Sequence, residues 1–194
     1  MVHGIFGEFD QGLVTARGQL GKGFRSIAPS RFGYLRTPLP DEASPAAQAD
    51  TYECLLDALG IEQAAIIATS AGGTSAIQFA LRHPDRCSAL VLVSSNAPGE
   101  TEAGLPPEPL ANVMYVSNPD INTGYPLGEI TVPVLIIHAV DDPLARYDNA
   151  RSMANRIPGA RLVTVESGGH MLLGHEERAG SEIREFLEQH TPGF

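Results

Sequence analysis

The residues best suited to chemistry in this chain lie in three short segments. The first is Ala64–Gly73, AAIIATSAGG. An apolar strand that runs into a helix through so tight a turn forces its central residue, Ser70, into a strained conformation and lifts the hydroxyl above the strand end. Residues two before and two after must be small to avoid collision, and Ala68 and Gly72 are. The turn points the Ala71 amide at whatever the hydroxyl attacks, and the helix N-terminus behind it favours developing negative charge. A Ser-Gly-rich helix start looks similar, and the first glycine of a Gly-x-Ser-x-Gly pattern is alanine here. The strand before and the helix after distinguish a nucleophile from that simpler case.

A serine nucleophile needs a base, and the base needs an orienting group. Leu135–Pro143, LIIHAVDDP, is a strand entering a turn with two carboxylates, Asp141 and Asp142, although Asp-Asp-Pro also forms turns for purely local reasons. Val163–His170, VTVESGGH, is a later strand whose loop ends in a histidine. Of the 6 histidines, His170 is the best placed base, because Gly168 and Gly169 permit a tight loop before it. His138 ends a strand just before the acid turn, His83 suits a helix C-terminus, His175 and His190 flank the last helix, and His3 belongs to an N-terminal His-Gly turn. The implied chemistry is acyl transfer through a covalent serine ester, which needs no metal and no organic cofactor. Cys54 and Cys87 form neither a disulfide framework nor a zinc ligand set and are expected to be buried free thiols.

These residues must be held by an alternation of strands and helices. Strands are expected at Phe24–Pro29, Ala64–Ala68, Ala89–Ser94, Val134–His138 and Arg161–Val165. Helices are expected at Ser44–Gly60, Gly72–His83, Asp148–Ile157 and Glu176–His190. In the first helix Ser44 caps, Pro45 takes the first position and Gly60 makes the exit, with Ala49, Tyr52, Leu55, Leu56 and Leu59 facing inward. Apolar runs such as ALVLV read as strands buried on both faces, so the pattern predicts an α/β fold with a mostly parallel sheet flanked by helices. The exception is 96–130, rich in proline and glycine, where at most one short helix is expected, around Glu108–Val116.

The chain has 194 residues and is 43% hydrophobic, enough for one buried core. Its formal net charge of −10 argues against nucleic acid and against an anionic membrane surface. No apolar run approaches the roughly 18 residues of a membrane helix, and MVHGIFGEFDQG has no signal-peptide pattern, so a cytoplasmic location is expected.

The chain resembles the α/β-hydrolase superfamily. The resemblance rests on His3-Gly4-Ile5-Phe6-Gly7, Ile27–Gly33 (IAPSRFG), Ala68–Gly72, His83-Pro84 with Val91–Val93, Asp141-Asp142-Pro143 and Gly169-His170. It covers nearly the whole chain and is similar above all to single-domain esterases, haloperoxidase-like perhydrolases and carbon–carbon bond hydrolases. The resemblance implies an oxyanion hole made by the Ile5 and Ala71 amides, and it selects Asp142 over Asp141 as the acid. It implies one domain over 1–194, a reduced α/β-hydrolase fold in which 96–130 replaces the helical cap of relatives. Only Met1 and Val2 precede His3, where relatives carry a central strand. The strands at Phe24 and Ala64 are therefore expected to pair directly, or another molecule to fill the gap, and a dimer or larger assembly is expected. Serine rather than aspartate at position 70 disfavours epoxide hydrolase and haloalkane dehalogenase chemistry.

The expected function is hydrolysis of small, short-acyl carboxylic esters through Ser70, His170 and Asp142. Perhydrolase or carbon–carbon bond hydrolase chemistry on the same triad is the alternative within enzymes. A non-catalytic hydrolase-fold binding or scaffold protein is the alternative outside them.

Overall fold

Two strands that are apolar but for Ser88 and His138 sit at the middle of the sheet, and every residue of both is buried. The computed structural model describes residues 1–5, 7–97 and 124–191. Its strands are β1 (Ala64–Thr69), β2 (Cys87–Val93), β3 (Val134–Ala139) and β4 (Arg161–Val165). They lie side by side in chain order, all parallel, with Ile66 opposite Leu90, Leu92 opposite Ile136 and Ile137 opposite Val163. The helices are α1 (Phe9–Leu20), α2 (Pro45–Ala58), α3 (Gly72–Arg82), α4 (Tyr147–Arg156) and α5 (Glu176–His190).

Alternation along each strand sends side chains to two cores. Ile66, Leu90, Leu92 and Ile136 pack with Tyr52, Leu56, Ile77, Phe79 and Met153 of α2, α3 and α4. Ile67, Val91, Leu135, Ile137 and Val163 pack with Ala16, Leu20, Ile183, Phe186 and Leu187 of α1 and α5. Helices on both faces are why the central strands need no polar side and why β1 to β4 all end at the same rim.

The expected punctuation of α2 is present: the Ser44 hydroxyl accepts from the Ala47 amide at 3.2 Å, Pro45 opens the helix and Gly60 leaves it at φ 64°. Ala49, Tyr52 and Leu56 face the core, but Leu59 lies past the last turn and is exposed. Cys87 is buried in β2, whereas Cys54 is exposed on the outer side of α2, contrary to the expectation that both are buried. The turn after the proline-rich connection, Leu127–Glu129, is described and puts Leu127 into the core; the helix expected at Glu108–Val116 lies outside the described residues.

Two elements differ from expectation. Helix α1 was not anticipated, since it has two glycines and no side-chain cap. It forms because small residues at Gly12 and at Gly180 of the neighbouring helix allow close packing, which overrides weak propensity. A Cβ on Gly180 of α5 would come within 2.9 Å of the Gln19 carbonyl, and one on Gly12 within 2.8 Å of Ala28 Cβ. Conversely, the segment expected as a strand at Phe24–Pro29 is not one. Val2 takes the place beside β1, donating to the Ile67 carbonyl at 2.7 Å and accepting from the Thr69 amide at 3.0 Å in a parallel bridge to Ala68. The 24–29 segment is bonded to the far side of this stub, with Met1 N donating to the Ile27 carbonyl at 2.8 Å. Between it and the rest of β1 lies a groove of about 350 Å³, lined by Phe24, Ile27, Leu56, Ala65 and Ile67 among others, so the two do not pair directly.

Gly72 is the tightest of these approaches, since a Cβ there would lie 2.7 Å from both the Val2 and His3 carbonyl oxygens. Neither backbone can yield without moving the Ser70 turn. Gly72→Ala is expected to lower stability by about 2–3 kcal/mol or more in urea denaturation. Gly18→Ala, on the exposed face of α1 with nothing within 4 Å, is expected to raise it by about 0.5–1 kcal/mol.

Candidate active site

Ser70 sits between β1 and α3 with φ 54°, the left-handed conformation expected for a side chain lifted out of a sharp turn. Its amide donates to the Val93 carbonyl at 3.0 Å, and its carbonyl accepts from Gly73 N at 3.0 Å, which over-determines the strained residue. Ala68 is fully buried and Gly72 lies under the Val2 and His3 carbonyls, so both small positions are required by contact.

The turn after β4 carries His170. Gly168 and Gly169 adopt φ 114° and 59°, and His170 follows in a short 3₁₀ turn. Its Nε2 lies 2.8 Å from Ser70 Oγ, and its Nδ1 lies 2.8 Å from Asp142 Oδ2. Asp142 stands in the turn after β3 with its side chain fully buried. With Nδ1–H donated to the carboxylate, the Nε2 lone pair is left to accept the serine proton. Three residues from the ends of β1, β3 and β4 thus form one hydrogen-bonded chain.

The carboxylate has four donors. Oδ1 accepts from the Leu144 and Ala145 amides at 2.8 and 2.9 Å, and Oδ2 accepts from His170. The fourth is His138, fully buried at the end of β3, whose Nε2 lies 3.3 Å from Oδ2 and 2.6 Å from the Ala145 carbonyl. That pair of acceptors assigns the Nε2–H tautomer to His138. Burial alone would push the Asp142 carboxyl up. The bonds from His138, His170, Ala145 and Leu144 overcome it and hold the group well below the usual carboxylate range.

Asp141 has a different task. Its Oδ1 and Oδ2 accept from the Gly169 and Gly168 amides at 2.8 and 3.2 Å, tying the turn after β3 to the loop before His170. Sequence reasoning saw Asp141 only as the rejected acid and His138 only as a strand end. Their roles depend on β3 and β4 being neighbours. The remaining histidines stand apart from this chain. His83 bonds Asp50 and Glu53 at the end of α3, His175 sits at the start of α5 without a side-chain capping bond and His190 lies against Phe186.

The His3–Ile5 turn crosses the nucleophile, with the Cβ position of Gly4 only 3.2 Å from Ser70 Cβ. Neither the Ile5 nor the Ala71 amide has a hydrogen-bond acceptor among the described residues. His3 is buried, donates from Nδ1 to its neighbour's carbonyl, Gly4 O, at 2.8 Å and accepts at Nε2 from Arg31 N at 2.9 Å. The Gly4 amide donates to Gln11 Oε1 at 3.2 Å, and the Tyr34 hydroxyl to the Ile5 carbonyl at 2.6 Å. Burial pushes the His3 imidazole down to about 4, with the Arg31 charge adding to the effect, so the ring stays neutral in this bonding pattern.

A family model described as alpha/beta hydrolase fold matches residues 1–115, and another, described as TAP-like protein, matches 112–192. The chain belongs to the α/β-hydrolase fold family. Rhodomycin D methylesterase DnrP of Streptomyces peucetius is 46% identical over 70 residues, 36% of this chain and 23% of that protein. A 2-hydroxymuconate semialdehyde hydrolase of Pseudomonas putida is 38% identical over 104 residues, 49% of this chain and 35% of that protein. This chain therefore spans well under half the length of these two relatives. Among solved structures, an α/β-hydrolase fold protein from Nakamurella multipartita aligns with TM-score 0.78 and 26% identity over 96% of this chain and 90% of that one. An esterase from Exiguobacterium antarcticum aligns with TM-score 0.80 at 21% identity over 97% and 90%, a likeness of fold. Among the described residues no helix is long and apolar enough to cross a membrane.

The buried neutral His3 has a consequence for folding. The unfolded imidazole titrates near 6.5 and the folded one near 4, so between these values the unfolded chain binds more protons. Its contribution is fully present above about pH 6.5 and is lost as pH falls toward 4. Denaturant titrations are expected to show a loss on the order of 2 kcal/mol across this window. His3→Asn, which keeps a donor near the Nδ1 position and cannot titrate, is expected to flatten that part of the profile.

Proposed function

We propose that the protein is a serine hydrolase that cleaves small carboxylic esters. The observation that carries this reading is the unbroken relay from Ser70 Oγ to His170 to Asp142, with both links at 2.8 Å. Ser70 Oγ bonds to the acyl carbon while its proton passes to His170 Nε2. The charge that develops on the substrate oxygen is met by the Ile5 and Ala71 amides. His170 returns the proton to the departing alkoxide, leaving an acyl group on Ser70. Water then attacks that ester as His170 takes its proton, and His170 gives that proton to Ser70 Oγ as the carboxylic acid leaves. Asp142 stays ionised throughout and holds the imidazole in the tautomer that accepts from Ser70.

The likeness to a methylesterase and to esterase folds supports ester chemistry. The likeness to a 2-hydroxymuconate semialdehyde hydrolase favours carbon–carbon bond hydrolysis as a second reading on the same residues. A vinylogous 1,5-diketone offered alongside p-nitrophenyl esters separates the two. Labelling of Ser70 by a fluorophosphonate separates either enzyme from a non-catalytic scaffold.

Ser70→Ala, His170→Ala and Asp142→Asn are each expected to lower kcat for p-nitrophenyl acetate by about 10⁴-fold or more, since triad members act as a unit. Asp141→Asn keeps one acceptor for the glycine amides and is expected to cost about tenfold or less. Equal losses at Asp141 and Asp142 would overturn the choice of acid. A connection of 35 residues at 96–130 is too short for a full helical cap, leaving little wall for a long acyl chain. Each buried methylene is worth about 0.8 kcal/mol, so short-acyl esters are expected to turn over best. A preference for long-chain esters in a p-nitrophenyl series would contradict this.

A further inference from the structure

Arg31 belongs to the Ile27–Gly33 segment, which the reaction as written does not use. It is half-buried beside the nucleophile turn. Its backbone amide donates to His3 Nε2 at 2.9 Å. Its Nη2 donates to the Gly4 carbonyl at 3.1 Å and to the Tyr34 hydroxyl at 3.4 Å, and its Nη1 reaches the Ala71 carbonyl at 3.5 Å. The guanidinium carbon lies 5.2 Å from the centre of the Tyr34 ring. Within the described residues Arg31 makes no ion pair with a carboxylate, and its buried Nε has no partner. A cation whose polar partners are mainly two backbone carbonyls and a phenol has a purpose other than a salt bridge.

The Gly4 carbonyl belongs to the same peptide unit as the Ile5 amide. In a trans peptide the C=O and N–H bonds point in opposite directions and their dipoles add, so donors on the oxygen withdraw electron density from the nitrogen and strengthen its hydrogen as a donor. Gly4 O accepts two such bonds, one neutral from His3 Nδ1 and one from the Arg31 guanidinium. We infer that Arg31 is a positioning residue for the oxyanion site, fixing and polarising the Gly4–Ile5 peptide so that the Ile5 N–H faces the developing negative charge. The inference rests on the reading of Ile5 as an oxyanion donor. The charge acts where negative charge appears only in the transition state, so its loss falls on kcat. Binding of the neutral ester changes little.

The test compares Arg31→Met, Arg31→Gln and Arg31→Lys with the unaltered protein and Ser70→Ala, using p-nitrophenyl acetate turnover and inhibition by phenylboronic acid. The boronate forms a tetrahedral anion on the serine and reports oxyanion stabilisation without turnover. Arg31→Met is expected to lower kcat about 10- to 100-fold with KM within about twofold, and to weaken boronate inhibition by a similar factor. Arg31→Lys, which keeps the charge, is expected to recover most of that loss. Arg31→Gln keeps a neutral donor in reach and serves as the charge-loss variant if Arg31→Met does not fold. A folded neutral variant with unchanged kcat and boronate affinity overturns the inference, as does a lysine variant as impaired as the neutral ones. If Ser70→Ala still hydrolyses the ester, the serine-hydrolase reading itself fails. An inactive Ser70→Ala beside a fully active Arg31→Met refutes the role of Arg31 alone.

Discussion

The structure depends on one backbone crossing. The Val2–Gly4 main chain lies directly on the Ser70–Gly72 turn, with no room at Gly72 for a Cβ against two carbonyl oxygens. Val2 completes the hydrogen bonding of β1 at the point where the chain turns into Ser70, and Gly4 passes over the serine itself. A packed interior resists small displacements, so this contact fixes the height of the hydroxyl and the position of the Ile5 amide together. The strained φ of Ser70 persists because the bonds to Val93 and Gly73 and this crossing leave it no alternative.

The second constraint is electrostatic. A fully buried carboxylate is costly unless its lone pairs are satisfied, and Asp142 meets that condition with two backbone amides and two imidazoles. The backbone pair comes from a tight turn that ends β3. The imidazoles come from β3 itself and from the loop after β4. Asp141 then secures that loop through the two glycine amides before His170. The neighbouring acids therefore divide the work: one orients the imidazole and the other the main chain that carries it.

The N-terminal turn is held from the side. A strand stub of Val2 pairs with β1, but the loop beyond it is secured by Gln11 from α1 and by Arg31 and Tyr34 from an irregular segment. Aromatic contact between His3 and Tyr34, with ring centres 4.6 Å apart, closes the group. This arrangement lets a sheet with an open groove beside β1 still present an ordered turn above Ser70.

Periodicity and punctuation in the sequence determined most of the architecture. Apolar runs marked β1 to β3 because strands covered on both faces have no polar side, and Ser44, Pro45 and Gly60 bounded α2 through local capping chemistry. That Ser70, His170 and, once the family pattern was added, Asp142 come together was legible because each stands at a strand end in a motif shaped by sterics. Helix α1 was not legible, since it depends on close packing of Gly12 against Ala28 and of Gly180 from α5 against Gln19. The 24–29 segment has the composition of a strand, yet a strand exists only where a neighbour offers matching hydrogen bonds, and Val2 stands in between. Only tertiary structure could show His138 and Asp141 serving the same acid turn, or Arg31 gripping the Gly4 carbonyl from 27 residues away. Local sequence encodes conformation through short-range sterics and hydrogen bonds. Which distant polar groups share a buried site depends on where the strands and helices come to lie.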